Sequence, residues 1–362
     1  FKEIFDSVTV IGLCEEENES NKLKIIEKLN LDSDFVRYIF IEVSRKKIDR
    51  IKALLNIRKK VSALIEHYDR IATKAPSIVN GFVTKLSKKH NVPLLIEVVG
   101  CPFDAFWNHS IKGKIIAPII WSIVKYAIKN ASFVMYVTNE FLQNRYPSKG
   151  QSIGCSDVSL PPLNQIILEK RINKIKEMDL EKDTIILGTI GAVNIPYKGQ
   201  KYVIKAIYKL NKIGKKFEYY LVGGGDYTKL KKLVEKYKLN DKVKFLGSMS
   251  HENIFSFLDE IDIYIQPSKV EGLPRALIEA ISRGCPALGS NVGGIPELLK
   301  EEFIFKKGSV RDIFNILKNL DKDSLIKVAK YKIEKAKEFD RNILKEKRNI
   351  FYKKFAGCEC CK

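Results

Sequence analysis

The sequence predicts an α/β chain of two doubly wound domains, each a parallel sheet flanked by helices. Three observations carry that expectation. At 362 residues the chain exceeds one ordinary compact core. Short apolar runs alternate with Lys-, Ile- and Leu-rich helical patterns through both halves. In the second half, glycines recur where those runs end.

In the first half, SVTVIGL (7–13), DFVRYIFIEV (34–43), RIATKAP (70–76), PLLIEVVG (93–100) and SFVMYVT (132–138) read as short buried strands. IIAPIIWSIV (115–124) holds Pro118, stops at Lys125 and is shorter than the about 18 apolar residues that span a bilayer, so it reads as a buried core helix, with a helix on a membrane surface as the second reading. Two prolines in LPPLNQ (160–165) break any regular element, which sets an N-terminal domain at 1–160 and a C-terminal one at 161–335. The later strands are TIILGTIG (184–191), EYYLVGGG (218–225), VKFLGS (243–248), IDIYIQPS (261–268) and CPALGS (285–290). KIEKAKEFDRNILKEKRNIFYKKF (332–355) reads as one long charged amphipathic helix, and residues 336–357 are expected to pack back on the N-terminal domain.

Hydrophobic residues make up 45% and aromatic residues 10%, which fits a packed globular chain and excludes wholesale disorder. The net charge is +21, from 52 Lys and 12 Arg against 43 acidic residues. Lysine favours diffuse attraction to anions over bidentate recognition. Anionic lipid, nucleic acid and a phosphate-bearing substrate all fit, as does a plain lysine-rich bias with solvated faces. No RRM-like aromatic-basic motif or zinc module supports nucleic acid as a partner. Cys14, Cys101, Cys155 and Cys285 are scattered singly and Cys358, Cys360 and Cys361 crowd the tail, which points to a reducing cytoplasm rather than a disulfide framework. No secretory signal is visible. Asp32-Ser-Asp34 and Asp321-Lys-Asp323 spell D-x-D, but neither follows a strand of the second half, so both read as turns or caps and no metal is expected.

The chemistry concentrates in the second half. Ligands of open parallel sheets bind beyond the carboxyl ends of the strands, where Gly188, Gly191, Gly223 to Gly225, Gly247, Gly272 and Gly289 lie. No GxGxxG or Walker loop is present, which disfavours a dinucleotide or P-loop site. IGAVNIPYKG (190–199) puts Lys198 in a loop after a strand. In EGLPRALIEA (271–280), Pro274 suits the first helical turn, and the amides of Leu273 and Arg275 with the helix dipole make an anion site. Glu271 in the loop and Glu279 inside the helix are placed to accept hydrogen bonds from polyol hydroxyls on either side of that anion. Taken alone, the two glutamates would read as a helix cap and a solvated face residue.

The run from 184 to 299 resembles the nucleotide-sugar domain of the family-4 retaining glycosyltransferases, whose signature is Glu, seven residues, then Glu; GLPRALIEA, RGCPALGS and GGIPELL fit as well. IEVVGCPFDAFWNHSIKGK (96–114) and YVTNEFLQNRYP (136–147) more loosely resemble the acceptor-side domain of bacterial polysaccharide glycosyltransferases. The resemblance implies the GT-B fold, two Rossmann-like domains facing a cleft. It implies a sugar moved from a UDP- or GDP-sugar donor to a glycan or lipid-linked acceptor, at the inner face of the cell membrane, with the nucleotide sugar a substrate and no cofactor. Residue by residue, Glu271 would bind the donor sugar, Lys198 the leaving diphosphate together with the Leu273 and Arg275 amides, Glu279 the ribose, and Gly247 and Ser248 the base. His109, with Asp104 and Asn108 after the PLLIEVVG strand, would face the donor sugar from the acceptor side. Retention in such enzymes needs no side-chain nucleophile, which agrees with the lack of a nucleophile–His–acid set.

Two departures stand out. The family pairs its loop lysine with an arginine six residues earlier, and Ala192 is found there. FKEIFDSVTVIGL reads as the family's first helix and second strand, and the chain opens on Phe1 rather than Met, so an opening strand with its glycine-rich loop is expected to precede it. The alternatives are a weakened nucleotide-binding homologue, a nucleotide-sugar epimerase, and, from charge alone, a nucleic-acid binder.

Overall fold

The computed structural model describes residues 3–15, 35–43, 47–77, 79–158, 160–162 and 165–357. The Cys358–Cys360–Cys361 tail and Asp32-Ser-Asp34 lie outside them.

In the first half, β1 (Val8–Glu15) and β2 (Val36–Val43) precede α1 (Lys47–Leu64), β3 (Ile71–Ala75), α2 (Asn80–His90) and β4 (Leu94–Val98). Then come α3 (Pro102–His109), α4 (Ile111–Asn130), β5 (Phe133–Tyr136), α5 (Phe141–Arg145) and β6 (Gln151–Gly154). The second half opens with α6 (Gln165–Glu177), β7 (Ile185–Ile190), α7 (Gln200–Lys212), β8 (Phe217–Val222), α8 (Thr228–Lys236) and β9 (Val243–Gly247). It continues through α9 (His251–Glu260), β10 (Ile263–Gln266), α10 (Arg275–Ser282), β11 (Ala287–Ser290), β12 (Ile304–Phe305), α11 (Val310–Lys318) and α12 (Lys322–Ala336). Helix α13 (Arg341–Ala356) closes the chain.

All strand pairs are parallel, as the alternating pattern requires. The second half forms one sheet in the order β12-β11-β10-β7-β8-β9. Its order reverses between β10 and β7, so the carboxyl ends of those two strands open the crevice where ligands of such sheets sit. The first half carries β3-β4-β5-β6 as one sheet and β1-β2 as a separate pair. A 460 Å³ cavity lined by Thr9, Ile11, Val61, Ile71 and Thr73 lies between them, bridged where Tyr68 Oη donates to Thr9 Oγ1 at 2.5 Å.

Every run read as a strand is a strand, but the expectation that all are buried is corrected at β1, where Val10 and Ile11 are exposed because β1 and β2 pair apart from the main sheet. The strands at Gln151–Gly154 and Ile304–Phe305 add to the expected set. Both are too short, and QSIG too polar, to leave a period-two pattern. The reading of one helix over 332–355 is corrected. Helix α12 ends at Ala336, a 3-10 turn covers Lys337–Phe339, and Asp340 caps a new helix by accepting from Asn342 N at 2.8 Å. Buried Phe339 pins the break, because a continuous helix would pull it out of the core.

The two chain crossings between the halves are stapled together. Leu160 N donates to Phe339 O at 2.8 Å and Arg341 N to Leu160 O at 3.0 Å. Beyond that staple, α13 lies on the first half. Tyr352 Oη bonds to Glu97, Arg70 Nε donates to Phe355 O at 2.7 Å, and Phe133 packs edge-on against Phe351 and Phe355. One apolar cluster takes Leu95 and Met135 from the first sheet, Leu277 and Ile281 from α10, and Phe351 and Phe355 from α13. It joins the halves into one hydrophobic unit.

The expectation of a buried helix at 115–124 is corrected in part. Ala117, Ile120 and Val124 are buried, but Ile115, Ile116 and Ile119 face solvent. Helix α4 covers the sheet with one face only, and no described element packs over the other.

Phe351 is 5% exposed at the centre of the shared cluster. Phe351→Ala is expected to destabilise the protein by about 3–5 kcal/mol, read by denaturant unfolding. A loss under about 1 kcal/mol would show that α13 is not an integral part of the core.

Candidate active site

The site is built from the loops that follow β7 and β10 on either side of the sheet's reversal. The β7 loop runs from Gly191 to a short 3-10 turn, Pro196–Lys198, and ends at Gly199, which has φ +80°. A β-carbon there would lie 1.9 Å from the Pro267 carbonyl oxygen, so only glycine lets this loop close on the end of β10. Lys269 N donates to Tyr197 O at 2.7 Å and locks the same contact.

That closure carries Lys198 to Glu271. Lys198 Nζ lies 2.7 Å from Glu271 Oε1. The same oxygen accepts from Ser268 Oγ at 2.6 Å and Gln266 Nε2 at 3.1 Å. Tyr264 Oη in turn donates to Gln266 Oε1 at 2.6 Å and so orients the amide. The Glu271 side chain is 11% exposed and that of Lys198 24%, and a partly buried ion pair is less screened than a surface one. Among the described residues, Oε2 of Glu271 accepts no hydrogen bond, so one carboxylate oxygen is saturated by protein and the other is open to a ligand. Burial, and then the negative charge of Glu271 and Glu279, hold the Tyr264 hydroxyl well above its ordinary pKa. Tyr264 therefore stays a neutral donor beneath both carboxylates.

Pro274 is the N-cap of α10 rather than its first residue, and Arg275 is the first. Arg275 reaches across to the first half and pairs with Asp157 at 3.2 Å, a solvent-exposed contact. Its guanidinium is thus engaged away from Lys198, and it does not stand in for the cation absent at Ala192. What α10 presents to the crevice is its backbone amides and dipole. Gly272 and Gly294 bring the two loops together, with Gly294 N donating to Gly272 O at 2.7 Å. Gly272 also lies so close to Val99 that an added β-carbon would come within 2.5 Å of its carbonyl oxygen. Leu273 packs against the cores of both halves.

The other strand-end glycines form a second floor. Gly223 N donates to Gly247 O at 2.7 Å, Gly191 N to Val222 O at 2.8 Å and Val193 N to Gly224 O at 3.2 Å. Ser248 follows directly, its hydroxyl against Gly224. Glu279 is 14% exposed and faces His251 Nε2 across 3.4 Å. His251 escaped the sequence reading, because its contact with Glu279 arises only when α9 packs beside α10. Gln266 and Ser268 were also missed, though two polar residues at the end of an apolar strand are a legible signal.

Across the cleft, Asp104 pairs with Arg145 at 3.1 Å, and the Arg145 guanidinium packs over Phe103 and Phe141. Asp104, Arg145, Lys269, Gly293 and Glu297 line a 330 Å³ recess between the halves. Glu297 closes it, its carboxylate accepting from Asn139 N at 2.7 Å and Phe141 N at 2.8 Å at the start of α5. The Asn108 amide is spent on its own helix, donating to Asp104 O at 2.8 Å, and His109 sits exposed in the last turn of α3. Of the two expected acceptor-side residues, Asp104 lines the recess and Asn108 does not, nor does His109, expected beside the donor sugar. Asp321 caps α12 by accepting from Ser324 N at 2.8 Å.

The sequence profile of the glycosyl transferases group 1 matches residues 170–339. The chain is 33% identical over 320 residues to Protein CapJ of Staphylococcus aureus, a match covering 85% of this chain and 76% of CapJ. It is 33% identical over 161 residues to the amylovoran biosynthesis glycosyltransferase AmsK of Erwinia amylovora, across 40% of this chain and 39% of AmsK. Among solved structures, Anabaena HepE in complex with UDP superposes with a TM-score of 0.63 at 15% identity, over 94% of this chain and 98% of HepE. The fold is GT-B.

Gly199→Ala would force a side chain into left-handed backbone and against Pro267. The expected cost is about 1–3 kcal/mol or more, measured by urea unfolding. An unchanged midpoint would show that the Lys198 loop does not depend on this closure.

Proposed function

The chain belongs to the group 1 glycosyl transferases, and we propose that it moves a sugar from a nucleoside-diphosphate sugar to a hydroxyl of a glycan or lipid-linked acceptor in polysaccharide assembly. The observation that carries the reading is the Lys198–Glu271 pair at the sheet's reversal, with one carboxylate oxygen held by three donors and the other open.

In this reading the open Oε2 of Glu271 accepts from the donor sugar's hydroxyls. Lys198 and the Leu273 and Arg275 amides at the start of α10 hold the diphosphate, whose arrival competes with Glu271 for the ammonium. Glu279 accepts from the ribose hydroxyls, and backbone atoms of Gly247 and Ser248 meet the base. Family-4 retaining chemistry fits: the acceptor oxygen bonds to the anomeric carbon as the carbon–phosphate-oxygen bond breaks, and the departing phosphate oxygen takes the acceptor's proton on the same face. No side-chain nucleophile takes part. Charge that develops on the diphosphate is met by a cation and amides fixed beforehand, the most effective use of electrostatics in a catalyst. Anabaena HepE, of the same fold, binds UDP, and a UDP- or GDP-sugar is the proposed donor here. Asp104 and the recess beside Arg145 would receive the acceptor.

Ala192 supports a second reading, a homologue that binds the nucleotide but transfers slowly, because Lys198 is the one side-chain cation on the described β7 loop.

Thermal-shift measurement with UDP-, GDP- and ADP-sugars is expected to show stabilisation by a UDP- or GDP-sugar. Lys198→Ala should then lower turnover by about 10²–10³-fold, and Glu271→Ala should abolish it. Stabilisation by none of the three would overturn the donor assignment. Stabilisation without turnover by the parent protein would establish the second reading.

A further inference from the structure

Helix α4 turns an apolar line to solvent. Ile111, Ile115 and Ile119 follow one another at four-residue spacing and are 82%, 71% and 59% exposed. Helical neighbours four apart lie one above the other, so the three form a continuous ridge. Ile116 beside it and Trp107 at the end of α3 are exposed as well. Single exposed apolar residues are ordinary, but a ridge of isoleucines ending at a tryptophan marks an interaction surface.

The helix that carries the ridge and the one packed against it bear no acidic residue. Helix α4 carries Lys112, Lys114, Lys125 and Lys129 and no acidic residue; α2, packed against it, carries Lys85, Lys88 and Lys89 and again none. Asp104, the one acid of α3, is neutralised by Arg145 at the cleft. Lys114 Nζ lies 5.8 Å above the Trp107 ring and Lys125 Nζ 4.4 Å above Trp121, so long cationic stems flank the aromatics. None of the described helices is long and apolar enough to cross a membrane.

We propose that α4 and the end of α3 form a docking face for an anionic phospholipid bilayer. Ile111, Ile115, Ile119 and Trp107 enter the boundary between headgroups and acyl chains, and the lysines meet lipid phosphates. A bilayer accounts for the whole composition. It takes up isoleucine and indole without asking for hydrogen-bonding partners, and it rewards flexible ammonium groups that reach sideways to phosphates. A protein partner would have to bring a matching apolar groove rimmed with acids. The inference stands on this surface alone and does not depend on the transfer reaction. Its consequence for that reaction is spatial, since α3 runs from the recess at Asp104 to the docking face and would set the cleft beside the lipid surface.

The test is flotation of the full chain with vesicles of phosphatidylcholine alone or with phosphatidylglycerol added. Binding is expected to be at least about tenfold stronger on the anionic vesicles and to fall as salt rises. The triple variant Ile111→Ser, Ile115→Ser, Ile119→Ser should lose about tenfold or more of that binding. Its thermal midpoint and sedimentation coefficient should not change. Lys112→Glu with Lys129→Glu, which alters exposed cations only and spares Lys114 over Trp107, should weaken binding independently of any effect on the ridge. The proposal fails if the parent chain does not float with anionic vesicles, or if either variant floats as well as the parent. It also fails if the isoleucine variant converts a dimer to a monomer, which would make the ridge a contact between two copies of the chain.

Discussion

The partly buried ion pair between Lys198 and Glu271 is the contact around which the second half is arranged. Its partners come from loops that leave adjacent strands at the place where the sheet order reverses. Each loop is shaped to reach the other. Gly199 gives up a side chain so the first can close on Pro267, and Ser268 and Gln266 fix one oxygen of the carboxylate from below. The outcome is a half-committed acid: one oxygen belongs to the protein and one faces the crevice. A carboxylate left wholly unpaired in so dry a place would carry a large desolvation cost, and a wholly satisfied one would have nothing to offer a ligand.

The same constraint explains how the halves meet. The Glu271–Pro274 loop is wedged against Val99 on one side and Gly293–Gly294 on the other, with Leu273 packed against the cores of both halves. Glu297 then reaches back to cap the start of α5, and the Leu160–Asp340 bridge ties the two crossings at the opposite edge. The cleft is therefore bounded by a polar latch near the site and a backbone staple away from it. Between them lie the residues positioned to receive a second substrate.

Much of this was legible in the sequence. Alternating apolar runs gave each of the ten expected strands within a few residues, because the central strands of a parallel sheet, buried on both faces, are written in continuous apolar stretches. The position of Glu271 before a helix and Glu279 within it followed from spacing, as did the clustering of glycines where loops approach. The unread parts depend on tertiary packing. His251 meets Glu279, and Arg275 meets Asp157, only after two elements distant in sequence have docked. The break at Phe339–Asp340 was hidden because charged helical periodicity continues through it, while the capping carboxylate and the buried ring that enforce the turn are single residues. The solvent-facing ridge of α4 was obscured for a related reason: a run of isoleucines with one proline looks the same whether one face is buried or two.

The most direct measurement is a crystal structure of the full chain with the nucleotide sugar that stabilises it best. The diphosphate should lie within hydrogen-bonding distance of Lys198 Nζ and the Leu273 and Arg275 amides, and a sugar hydroxyl should lie on the open oxygen of Glu271. A nucleotide bound away from the β7 and β10 loops, with the Lys198–Glu271 pair undisturbed, would contradict the account.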